Sequence, residues 1–156
     1  MTTKIILFSA VLAYSMIVSQ SFMYMLALKD VQLHLDANAY TEFRKLIDIS
    51  MRNSFKYVIY AALLTSLALM ISTIKNPGSL IFITSTLAFV ALVADTMLTV
   101  KASLPINDVI NTWSVNNYPS NWAEYRTRWL TIFQYRQITN LTGFVSLLIG
   151  GVFGSK

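Results

Sequence analysis

The chain has 156 residues, of which 55% are hydrophobic and 12% charged, with a formal net charge of +5. A water-soluble domain of this size needs a more polar surface, so the composition excludes an ordinary soluble globule and points to an integral membrane protein. With no cysteine and one histidine, His34, the sequence also excludes disulfides, a thiolate metal site, a thiol nucleophile and a bis-histidine haem. No metal and no cofactor are expected. The positive charge is spread over the connections, which fits the lipid bilayer surface as a partner and not nucleic acid.

Four apolar segments, each near the roughly 20 residues that cross a bilayer, lie at about 5–28, 55–74, 80–100 and 129–153 of a single membrane domain over 1–156. The first is read as a retained span, because Gln20 leads into Phe22, Met23 and Tyr24 instead of a small-residue cleavage site. Between the first two spans, Leu35, Ala39, Phe43, Leu46, Ile47 and Met51 recur at helical spacing, with Asp36 and Asn38 as candidate caps. Lys75-Asn76-Pro77-Gly78 is a tight breaker that makes the second and third spans an antiparallel pair. Pro105 opens the last connection as a first helical residue, followed by the short apolar face of Val109, Ile110 and Trp113. Pro119-Ser120-Asn121 starts the final helix, with Ser120 and Asn121 as caps and Glu124 in its first turn. No breaker follows before Gly143, so this helix is longer than the bilayer is thick and its amino-terminal third projects from it. The expected fold class is all-α: a four-helix transmembrane bundle with an amphipathic helix in the first long loop and a short helix in the last.

Four spans put both long connections on one side and both termini on the other. Lys29, Arg44, Lys45, Arg52, Lys56, Lys101, Arg126 and Arg128 fall on the long-loop side, against Lys4, Lys75 and Lys156 on the other. The bias places the long loops in the cytoplasm and the termini outside.

Asp95 is the acidic residue within the apolar run of the third span, with Thr99 one turn further on the same face. It lies ten residues before Pro105, about 15 Å along a helix. Arg136 lies fifteen residues past Asn121, in a helix that begins outside the lipid, so the two charges reach comparable depth. Pairing them in the interior is the arrangement of lowest cost. One reading is a structural salt bridge that fixes helix register. The other is a site with Asp95 and Arg136 as catalytic residues, Arg136 holding an anionic or enol oxygen and Asp95 orienting it or moving a proton. Gln20 reaches the same interior from the first span, and Asn140 shares the Arg136 face, whereas Gln137 is rotated away. Trp113, Tyr118, Trp122, Tyr125 and Trp129 form either an interfacial belt or, beside Asn107, Asn111 and Arg126, an aromatic lid over a pocket. His34 is read as a surface residue.

The run Leu104-Pro105-Ile106-Asn107, then Trp122-x-x-x-Arg126-x-x-Trp129, then Arg136, resembles the small four-helix membrane proteins of the anthrone-oxygenase-like family. That family carries V-P-L-N at the end of the third span, W-x-x-x-R-x-x-W, and an H-x-x-R pair entering the fourth. The likeness covers about the last 60 residues, and the first half agrees only in layout. It implies a four-helix membrane bundle and, as in the fungal members, cofactor-independent oxidation of a polyketide anthrone. Asn107, Trp122, Arg126 and Trp129 from the resemblance, with Gln20, Thr99 and Asn140 from the reading of the spans, make up the expected ligand-binding set around the Asp95–Arg136 pair. At the histidine of H-x-x-R this chain has Phe133, so the motif's base is absent.

Two functions are therefore expected. One is a membrane-embedded protein binding an apolar aromatic or quinone-like molecule, with anthrone oxidation as its strong form. The other is a non-enzymatic accessory subunit docked on partners in a larger membrane complex, or on further copies of itself. Transport is a weaker third, since the chain shows no internal repeat.

Overall fold

The computed structural model describes residues 2–154, and no strand occurs among them. The elements are α1 (Thr2–Met23), a π-helical turn (Tyr24–Leu28), α2 (Lys29–His34), α3 (Ala37–Thr73), α4 (Leu80–Leu98), a second π-helical turn (Thr99–Ser103), α5 (Leu104–Asn111) and α6 (Trp122–Phe153). α1 continues through the first π turn into α2, and α4 through the second into α5. The described chain is thus built from four long helices, with α1 packed on α3 and α6, and α4 packed on the same two.

Three of these helices, Thr2–His34, Ala37–Thr73 and Leu80–Asn111, are long and apolar enough to cross a membrane. α6 does not reach that composition, because Arg136, Gln137 and Asn140 interrupt its apolar run. All three of these polar side chains are buried against the other helices rather than turned outward.

Several boundaries differ from the sequence expectation. The amphipathic stretch is no separate loop helix: it forms the first turns of α3, since Arg52-Asn53-Ser54 contains no breaker. At 37 residues, α3 is about 55 Å long, against about 30 Å of hydrocarbon. Pro105 does not stop a helix either. It follows the second π turn, in which the Leu104 N–H bonds back to the Thr99 carbonyl. The wider turn accommodates a residue that has no N–H and whose ring crowds the carbonyl four residues earlier. Asp36 caps α3 by accepting from the Ala39 N–H at 2.9 Å. Asn38 instead pairs with Asn116, whose φ of 61° lies in the left-handed region that Asn tolerates. Asn121, not Ser120, is the N-cap residue of α6, but its side chain makes no capping bond to the backbone, and its amide donates to Glu124 instead.

Two cores are stacked along the helices. At the end near residues 2, 73, 80 and 153, the core is Ala10, Tyr14, Ile17, Ala62, Leu69, Ala88, Leu92 and Leu147. Small residues bring the helices close there: a Cβ on Gly143 would lie 1.8 Å from the Tyr14 hydroxyl oxygen. At the opposite end the core is Tyr24, Tyr40, Ile106, Ile110, Trp113, Trp129, Leu130 and Phe133. The aromatic residues of the last connection are thus largely core rather than a belt or a lid.

The outward faces of α3, α4 and α6 become more apolar past one level, although Leu26, Leu46 and Ile49 are also exposed on the aromatic-core side. Ser54, Lys101 and Gln134 are exposed on the aromatic-core side, while Tyr57, Met97 and Ile138 are exposed just beyond them toward the other end. From there an apolar surface that includes Leu64, Ile83 and Val152 faces outward, as lipid-facing helices require.

Candidate functional site

Between the two cores lies a cavity of about 340 Å³ that reaches both π turns through Tyr24, Thr99 and Ser103. π turns widen a helix locally and are frequent at functional sites. Its apolar wall comes from Ile47, Met51, Phe55, Ile59 and Leu104, and its polar wall from Gln20, Arg44, Asp48, Arg52, Lys56, Asn107 and Arg136. Trp129 closes it from α6.

The inner end is set by Arg136. Its Nε donates to Asp95 Oδ1 at 2.8 Å, with Asp95 fully buried and Arg136 6% exposed. A guanidinium has five N–H donors. The remaining ones meet no protein acceptor among the described residues, and the group lies on the cavity wall. Asp95 stands behind the wall with its Oδ2 unpartnered, so it acts on the cavity by positioning Arg136. The Thr99 hydroxyl donates to the Asp95 backbone carbonyl at 2.8 Å, and the Gln20 side chain, also on the wall, has no partner among the described residues.

The outer end is a network in which Asn107, Asn111 and Trp129 belonged to the sequence expectation, and Arg44, Asp48 and Arg52 did not. Arg44, 2% exposed, donates through its two terminal nitrogens to the Tyr24 hydroxyl at 3.1 Å and to Asn107 Oδ1 at 2.7 Å. Its carbon Cζ lies 3.7 Å from the centroid of a Trp129 ring, a desolvated cation–π contact. Asn107 Nδ2 and Asn111 Nδ2 each donate to Asp48 at 2.7 Å. Arg52 donates to Asp48 at 2.7 Å and also to Asp108. The sequence offered a faint signal for these residues: Arg44, Asp48 and Arg52 lie four apart, on one helix face.

Trp129 stacks on Phe133 at 5.0 Å with a 9° interplanar angle, and Tyr24 packs on Phe133 at 4.3 Å. Arg136 lies 5.3 Å from the same Phe133 ring. The position of the resembled family's histidine is therefore buried in an aromatic stack between two guanidinium groups, off the cavity wall.

Of the residues expected around the site, Gln20, Thr99, Asn107, Trp129 and Arg136 line the cavity. Trp122, Arg126 and Asn140 do not. Arg126 donates to the backbone carbonyls of Gln32, Leu33 and Leu35 at 3.0–3.2 Å and lies 4.7 Å from a Trp122 ring. It serves the carboxyl end of α2, whose last carbonyls have no helical donor. Asn140 is buried with its Oδ1 unpartnered. Gln137, expected to point away, donates to the Ser21 carbonyl at 3.1 Å and ties α6 to α1. His34 is exposed beside Asp30. No group of His, Cys, Asp and Glu side chains suited to a metal ion occurs among the described residues.

No family model, curated protein or solved structure matches this chain.

Proposed function

We propose that this chain is a four-helix integral membrane protein that binds an apolar aromatic or quinone-like molecule, with Arg136 taking its polar oxygen and Asp95 holding Arg136 in place. The observation that carries this reading is a buried guanidinium on the wall of a largely apolar cavity, with one N–H committed to Asp95 and the others free. A cavity near 340 Å³ falls in the range of small-molecule sites, which combine apolar walls with a few placed polar groups. The anthrone-type oxidation of the resembled family would need a base on this wall. Phe133 supplies none, Asp95 lies behind Arg136, and the Asp48 carboxylate on the wall is engaged by Arg52, Asn107 and Asn111, so binding is the better-supported activity. The lysine and arginine bias puts the aromatic-core end and its cavity mouth at the cytoplasmic face.

The test uses full-length protein in lipid nanodiscs and 1,4-naphthoquinone, read by quenching of tryptophan fluorescence. Trp129 on the cavity wall is the reporter. Saturable quenching is expected, with Arg136→Gln weakening it about tenfold or more, as for loss of a charged hydrogen bond. Unsaturable quenching, matching simple partition into the bilayer, would sink the proposal.

A further inference from the structure

We infer that the molecule bound here is an acid: a carboxylate or phosphate on an apolar body, its anionic group held by Arg44 at the outer end of the cavity. This rests on the reading of the cavity as a ligand site and assigns that ligand's chemical class.

The two guanidinium groups of the cavity differ in one respect. Arg136 is neutralised by direct contact with Asp95. Arg44 is equally buried, yet among the described residues it touches no carboxylate. Its contacts are a phenol, an amide and an indole face, and its Nε has no partner. Asp48 attracts it through space without touching it, Asn107 bonding both, and the same Asp48 is bound directly by Arg52. A buried cation is costly unless paired. Lys56, also on the wall, forms no ion pair among the described residues and adds a second positive charge near the mouth.

The spacing makes the site two-ended. Arg44 sits over Trp129, and Arg136 follows Trp129 by seven residues on α6, about 10 Å along the helix. The inner guanidinium, already neutralised, suits an uncharged carbonyl oxygen. The outer one, in contact with no carboxylate among the described residues and about 10 Å further toward the aromatic-core end, suits an acid. An amphiphile with its acidic group toward the membrane surface and its apolar body between the helices satisfies both.

The probe pair is a naphthoquinone carrying a propionate side chain and the methyl ester of the same compound, titrated into the full chain in phosphatidylcholine nanodiscs. The acid is expected to bind at least about tenfold more tightly than the ester, because it gains a charge-assisted hydrogen bond in a desolvated setting. Arg44→Gln is expected to bring the two within about twofold, and Arg44→Lys to keep part of the preference. The wild-type comparison needs no substitution, so it decides the matter even if Arg44→Gln fails to fold. Equal affinity of acid and ester in the wild type, or a preference that survives in folded Arg44→Gln, overturns the inference while leaving the ligand site standing. Absence of saturable binding by either compound removes the site and the inference together. Repeating the titration with phosphatidylglycerol in the bilayer separates sources: competition identifies an anionic lipid headgroup as the acid, and its absence identifies a free acid.

Discussion

Replacing Asp95 and Arg136 singly and then together separates a buried charge pair from an interchangeable polar contact. Asp95 is wholly enclosed and lies off the cavity wall, so Arg136→Met strands a carboxylate where no water reaches it. Removing one partner of a buried pair costs about 3–5 kcal/mol, and this variant should fall in that range. Asp95→Leu strands the guanidinium instead, but Arg136 borders a cavity that solvent can enter. Its penalty should be smaller, roughly 1–3 kcal/mol. The double variant places two apolar side chains against each other and should lie within about 1 kcal/mol of the wild type. The coupling energy is then about 3 kcal/mol at the least and about 6 kcal/mol at the midpoints of those ranges, read from a double-mutant cycle of denaturant unfolding in mild detergent. Additive penalties would refute the buried-pair account. So would an Arg136→Met variant no less stable than Asp95→Leu, because the asymmetry depends on which charge the cavity can hydrate.

Arg126→Ala should lower stability by about 2–3 kcal/mol, since three α2 carbonyls lose a charged donor. Naphthoquinone affinity should stay unchanged, because Arg126 lies off the cavity; paired thermal melts and quenching titrations check both parts. Phe133→His places an imidazole inside a stack that is 2% exposed, so a loss of about 1–3 kcal/mol is expected. Oxygen uptake with anthrone should stay at the level of empty nanodiscs, and a clear gain would mean that this position does reach the cavity.

Composition alone pointed to a membrane-type chain, and the lengths of the apolar runs gave four spans, of which three fall on helices long and apolar enough to cross a bilayer. The depth argument also brought Asp95 and Arg136 together, because residues on straight helices have heights fixed at 1.5 Å per residue. Heights, however, say nothing about which neighbours face inward. Arg44 counted only as a charge on the long-loop side and Asp48 had no role, yet the unbroken α3 carries both against the first π turn, α5 and α6. Trp122 and Arg126 belonged to the same motif as Trp129, but helix rotation turned them toward α2 and α3. The π turns left no local mark beyond Pro105, because a shift in backbone pairing depends on what packs beside it. Spacing determined which residues share a level, and tertiary packing decided which of them border the cavity and which of its charges lacks a counter-charge.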